Sequence, residues 1–169
     1  MKKSVLAGVA AAGVSLTAVV FPGAAAAGPT EVTFTIGGGD IAVSSQPNAT
    51  LTPDAVLDVA NGSLGAVTVT DDRRVIGTWR VQVSSTSFSN GQTDIPASAA
   101  TYSPGLAVPS RGTPVVLPGI PGTLDSQLTA ASATVIGANT VSWNPSLSVA
   151  LPTDRTAGAY TGTVTHSLG

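Results

Sequence analysis

Few residues of this chain can do chemistry, and their spacing narrows what chemistry is open to them. His166 is the only histidine and cysteine is absent. A zinc site takes roughly three or four His, Cys or carboxylate ligands, so a lone imidazole near the C-terminus nucleates none. A Ser–His–Asp triad needs a held nucleophile, and no G-x-S-x-G run supplies the elbow that would present one. Any two of the nine acids could meet in space as a glycosidase pair, but only one is a glutamate, Glu31. The densest charged run is Asp71-Asp72-Arg73-Arg74. Calcium wants roughly six to eight oxygens in one loop, and two arginines are poor company for it. A turn in which an Asp caps backbone N–H groups and an Arg pairs with a carboxylate fits those residues better. Gly37-Gly38-Gly39 lacks the following helix and lysine of a phosphate loop. These residues point to no catalysis, no metal and no cofactor.

What remains is recognition. Trp79 and Trp143 are the only tryptophans. Each is expected to pack in a core, where an indole buries a large area; an exposed one would instead offer a face on which a sugar ring can stack. Trp79, Trp143 and His166 are therefore the candidate ligand-binding residues.

These side chains must be positioned by an exported domain. Met1-Lys2-Lys3, an apolar run from Val5 to Phe21 and the small-residue tract Ala24–Gly28 have the order of a secretory signal peptide. The expected cut follows Ala27, giving a signal peptide over residues 1–27 and a single domain over 28–169. The apolar run falls short of the about 20 residues of a membrane anchor, and no span is expected after cleavage. Lys2 and Lys3 are the only lysines, so five arginines stand against nine acids in the mature domain. Such a domain offers no basic patch to nucleic acid. Leu151-Pro152-Thr153-Asp154 lacks the glycine of a sortase signal, so attachment to an envelope is expected to be non-covalent.

Short runs alternate apolar and polar residues between Gly, Pro and Asn, the pattern of an all-β sandwich or barrel. Val32, Phe34 and Ile36 form one such run, and Ala55–Ala60 is a further strand candidate. Asn61-Gly62 and Asn90-Gly91 read as turns. Val67 to Phe88 reads as two strands joined by the charged turn. Six prolines between residues 96 and 121 predict extended loops with edge strands. Residues 124–136 fit either a short helix or a strand, and Asn144-Pro145 marks a bend. Tyr160–Leu168 reads as one alternating strand. The expected core holds Phe34, Ile36, Val67, Val69, Trp79, Val81, Val83, Val141, Trp143, Val149, Tyr160 and Val164. The fold expected is a single antiparallel immunoglobulin-like β-sandwich.

With those strands placed, Thr70-Asp71-Asp72-Arg73 followed by Trp79-Arg80-Val81 resembles the first hallmark of WxL-type cell-surface domains, a T-D-x-R turn before a W-x-L strand. The second hallmark, near Y-x-x-x-L-T-W-x-L, is matched in part by Tyr160, Thr165 and Leu168. Val81 and Val164 stand where that family has Leu, and His166 where it has a second tryptophan. Pro152 to Tyr160, with Ala157-Gly158, also fits. The chain thus resembles a divergent, actinobacterial-style relative, with Asp71, Arg73, Trp79, Val81, Tyr160 and Leu168 as the motif residues. The resemblance implies a secreted, non-catalytic protein of the Gram-positive cell wall, bound non-covalently to peptidoglycan or an attached glycan. A structural or adhesive subunit that pairs with other exported proteins through a sheet edge is the alternative.

Overall fold

The computed structural model describes residues 39–169. The signal peptide, its cleavage site and the expected core residues Phe34 and Ile36 lie outside the described residues. Along the described chain run β1 (Ile41–Ser44), β2 (Thr52–Asp54), β3 (Val59–Ser63), β4 (Val67–Asp71), β5 (Ile76–Ser85), β6 (Phe88–Ser89), β7 (Asp94–Ile95), β8 (Ala100–Ser103), β9 (Val108–Arg111), β10 (Val115–Pro118), β11 (Gly122–Thr123), β12 (Leu128–Ile136), β13 (Asn139–Trp143), β14 (Ser146–Ala150) and β15 (Val164–Leu168). One 3-10 turn, Ala97–Ala99, precedes β8.

Every pairing is antiparallel. Two of the sheets, β1–β4–β13–β9 and β11–β8–β14–β3–β2, are consecutive halves of one long sheet, because β3 runs on into β4, β8 into β9 and β13 into β14. The three long strands of that sheet break at one level, and the breaks have local causes. Pro104 and Pro145 have no N–H to give a ladder, while Gly65 and Gly105 take the positive φ that a sharp bend needs (78° and 75°). A bond from Leu64 N–H to the Pro145 carbonyl, 2.9 Å, holds the bend. The facing sheet has the order β10–β12–β5–β15. The first and last of the described strands meet: β1 lies beside β15, β4 pairs with β13 and β5 with β12. The chain is thus a long ribbon folded back on itself, with the Greek-key crossings expected of an immunoglobulin-like β-sandwich.

The core follows the period of two. On β4, Val67, Val69 and Asp71 face in; on β5, Trp79, Val81 and Val83; on β13, Asn139, Val141 and Trp143; on β14, Leu147 and Val149. Tyr160 and Val164 are half-buried against this cluster. Ile95, Tyr102, Leu124 and Val135 are also buried, core positions that the proline-rich middle conceals.

Several local expectations are corrected. Residues 128–136 are strand throughout, with a bulge between Thr129 and Ala131. The three-residue spacing of Leu128 and Ala131 arises because that bulge lets Ala130 and Ala131 both turn inward, while Leu124 lies before the strand. Ala55–Asp58 is a turn rather than a strand, capped by Asp54 Oδ1, which accepts N–H bonds from Val56 and Leu57. Asn61-Gly62 sits inside β3 instead of making the turn. Gly62 is there for proximity: a Cβ would come 2.6 Å from the Thr50 carbonyl oxygen. Tyr160–Leu168 is regular strand only from Val164, although Thr161 bridges Ser89.

Gly62→Ala forces the 45–51 segment away from β3. We expect it to cost about 1–3 kcal/mol, read as a lower denaturant midpoint in equilibrium unfolding; an unchanged midpoint would contradict this packing.

Candidate functional site

The residues singled out from the sequence assemble into two polar bridges that cross the core at different places. The first is built on the charged turn. Asp71 ends the inward row of β4 and is 1% exposed, so its charge needs a partner. Arg73, two residues on, provides one bidentately: Nε donates to Oδ1 at 2.9 Å and an Nη2 donates to Oδ2 at 3.0 Å. The Arg73 backbone N–H adds a third bond to Oδ1. On β13, Asn139 is the register partner of Asp71 and also 1% exposed. Its Nδ2 donates to Asp71 Oδ2 at 3.3 Å and to the Gly137 carbonyl, while its Oδ1 accepts the Trp79 indole N–H from the facing sheet at 3.3 Å. Arg73–Asp71–Asn139–Trp79 is one continuous chain of hydrogen bonds. The hydrogen bonds from the Arg73 side chain, outweighing desolvation, hold the Asp71 carboxyl below its ordinary value. Asp72 pairs instead with Arg111 on β9.

The second bridge joins Trp143, Tyr102 and His166. Trp143 Nε1–H donates to the Tyr102 hydroxyl at 3.3 Å, and that hydroxyl lies 2.9 Å from His166 Nε2. An indole only donates, so the arrangement that wastes fewest groups has Tyr102 donating to Nε2. His166 is then the Nδ1–H tautomer, and its Nδ1 is buried without a hydrogen-bond partner. Burial pushes the Tyr102 hydroxyl up to about 12 and pushes the His166 imidazole below its ordinary value.

These placements settle what the tryptophans can do. Trp79 is 4% and Trp143 3% exposed, so neither offers a face to a sugar ring. Both are core residues, as first expected, and their N–H groups close the bridges; the alternative, that they serve as ligand platforms, is corrected by their burial. Val81 is fully buried, and Tyr160 and Leu168 pack against the core from the edge. Tyr102 and Asn139 complete the two bridges but escape a sequence reading, since nothing in a Thr/Ser-rich strand marks which polar residue turns inward.

Trp79, though buried, borders a pocket of about 440 Å³ beside Arg80, Gln82 and Leu117, and the other ligand-binding candidate that borders open space is His166. It lines a groove of about 660 Å³ between the segment 45–51 and the segment 158–164. Phe88, Ile95, Leu147 and Val149 form its buried floor, and its rim is Thr, Asn and Gln with Tyr160. No Asp, Glu, Lys or Arg among the described residues lines it. Among the described residues no three His, Cys or acidic side chains cluster as a metal site, and no helix is long and apolar enough to cross a membrane. Comparison of the chain with protein-family models, with curated proteins and with solved structures finds no match.

The two bridges titrate in different windows. His166 binds its proton less readily folded than unfolded, so stability is complete above the unfolded value, about 6.5, and falls as the pH drops through it. His166→Gln should flatten the unfolding free energy between pH 7 and pH 5; an equally steep slope in the variant would place the titrating group elsewhere. Asp71, with its carboxyl lowered in the folded state, contributes stability above about pH 4 that is lost on further acidification. Asp71→Ala removes the carboxylate partner of Arg73 and one of the two acceptors of the Asn139 amide, and should cost about 3 kcal/mol at neutral pH while removing part of the acid-limb loss, both measurable by denaturant titration.

Proposed function

We propose that this protein is a secreted, non-catalytic domain that associates non-covalently with the Gram-positive cell wall, through peptidoglycan or an attached glycan. The observation that carries this reading is the structural coherence of the residues behind the WxL-type resemblance. Asp71, Arg73 and Trp79 belong to one bridge, and Tyr160 and Leu168 frame the strand that holds the other. The motif thereby reads as the signature of a scaffold. The leader-like residues 1–27 support export, and the side chains best suited to chemistry, Tyr102 and His166, are engaged with each other across the core. With both indoles buried, wall contact falls to exposed surface rather than to the hallmark aromatics.

A second reading, a surface subunit that pairs with other exported proteins through a sheet edge, is favoured by one observation. Among the described residues, β15 is the last strand of its sheet and is hydrogen-bonded to β5 alone, so its other edge has no partner strand there.

The wall reading is tested by sedimenting the purified protein with isolated sacculi, with and without their attached polymers. Saturable co-pelleting is expected. Protein that stays in the supernatant with both preparations would remove the wall reading and leave the subunit reading standing.

A further inference from the structure

We propose that the groove beside β15 is a strand-acceptor site: it takes an extended, uncharged stretch of another exported polypeptide, which pairs with the backbone of residues 160–163. The inference rests on the second reading above, that of a surface subunit, and on the hydrogen-bond pattern at the chain's last edge.

Thr161 exchanges both its N–H and its carbonyl with Ser89, each at 2.9 Å. Thr163 does the same with Thr86: its carbonyl accepts the Thr86 N–H at 3.0 Å, and its own N–H donates to Thr86 Oγ1 at 2.9 Å. In an antiparallel pair, residues that spend both groups on one neighbour alternate with residues whose groups point the other way. Tyr160 and Gly162 therefore present their N–H and carbonyl groups away from the sheet, and both residues line the groove. No hydrogen bond among the described residues engages those four backbone groups. The same alternation continues into β15, where β1 lies alongside without pairing. Below residue 164 the opposite wall, residues 45–51, has left regular strand, and the two walls part to form the groove.

Three features of the groove fix the chemistry of its occupant. Unpaired donors and acceptors at strand spacing ask for a backbone, the mode in which an extended peptide adds to a sheet edge. The apolar floor of Phe88, Ile95, Leu147 and Val149 asks for an aliphatic side chain at every second position. The absence of Asp, Glu, Lys and Arg from the described lining disfavours a charged segment, since a charge buried there would have no partner. A Val/Thr-alternating sequence meets all three conditions. A sugar chain would leave the floor unfilled, and an acyl chain would leave the backbone groups of Tyr160 and Gly162 unpaired.

The test uses the purified full chain and a synthetic probe, acetyl-Thr-Val-Thr-Val-Thr-Val-Thr-amide, with two controls: the same peptide N-methylated at alternate amides, and one with each Val replaced by Asp. Saturable binding of the first peptide is expected, with the amide resonances of Tyr160 and Gly162 among those perturbed. Each control should bind at least about tenfold more weakly, the N-methylated one because it loses backbone hydrogen bonds while keeping its side chains. Ala159→Asp places a charge on the exposed rim, and should lower probe affinity to a similar degree without moving the unfolding midpoint. The proposal is overturned if the probe does not bind, if N-methylation leaves its affinity unchanged, or if the perturbed amides lie away from residues 158–164. It is also overturned if the protein forms dimers that the probe does not dissociate, since a second copy would then occupy the edge. None of these outcomes depends on whether sacculi retain the protein.

Discussion

Asp71 continues the inward row of Val67 and Val69, a position where a carboxylate has no access to water. Leaving it unpaired would cost several kcal/mol, so the geometry at that end of the sandwich is set by what neutralises it. Arg73 can do so only if the chain turns back immediately after β4, and Asn139 can do so only in the register that places it opposite Asp71. Asn139 in turn holds the indole of Trp79 on the facing sheet. One buried charge thereby ties together a turn, a strand register and the contact between layers. A core of valines and alanines is tolerant of sliding, because one small aliphatic replaces another at little cost. A directional hydrogen-bonded chain is not tolerant in this way. The sandwich has large side chains at few positions, and it obtains its specificity from polar groups placed among small ones.

The second bridge has a different character. Trp143, Tyr102 and His166 use no full charge, and they span from the kinked sheet to the final strand. Because β15 is paired on one edge alone among the described residues, its attachment to the opposite sheet leans on this contact and on Val164 and Leu168. The histidine also connects the core to the groove, for it both accepts from Tyr102 and lines the open space. The imidazole of His166 meets the Tyr102 hydroxyl across the core, with the two rings tilted 57° at a centroid distance of 5.6 Å.

The ribbon topology explains why the groove lies where it does. Folding a ribbon on itself brings first and last strands side by side with no covalent turn to keep them in register. β1 and β15 stay close without pairing. Once β1 ends and the chain continues through Gln46-Pro47-Asn48, no ladder holds the two walls together. The floor remains apolar because it is the continuation of the core, while the walls have parted. The outermost residues of the last run, Tyr160 and Gly162, then keep an edge with no partner among the described residues, beside an apolar trough.

The amino-acid sequence by itself determined the class of the fold. Alternation at period two, broken by Gly, Pro and Asn, sufficed for the antiparallel sandwich and for Val67, Val69, Trp79, Val81, Val83, Val141, Trp143 and Val149 in its core, because burial on one face of a strand is a local property of the pattern. Asn90-Gly91 was equally legible: Gly91 takes φ of 84° and Asn90 Oδ1 caps the turn. Asn61-Gly62 misleads because its glycine answers to the Thr50–Leu51 segment that passes over β3, a tertiary demand that shares the turn's spelling. The pairing of Asp71 with Asn139, of Tyr102 with His166, and the open edge at Tyr160 and Gly162 were decided by tertiary structure alone. Each depends on which distant strand lies alongside, over separations of 64 to 68 residues for the two polar pairs, and no local preference encodes that choice.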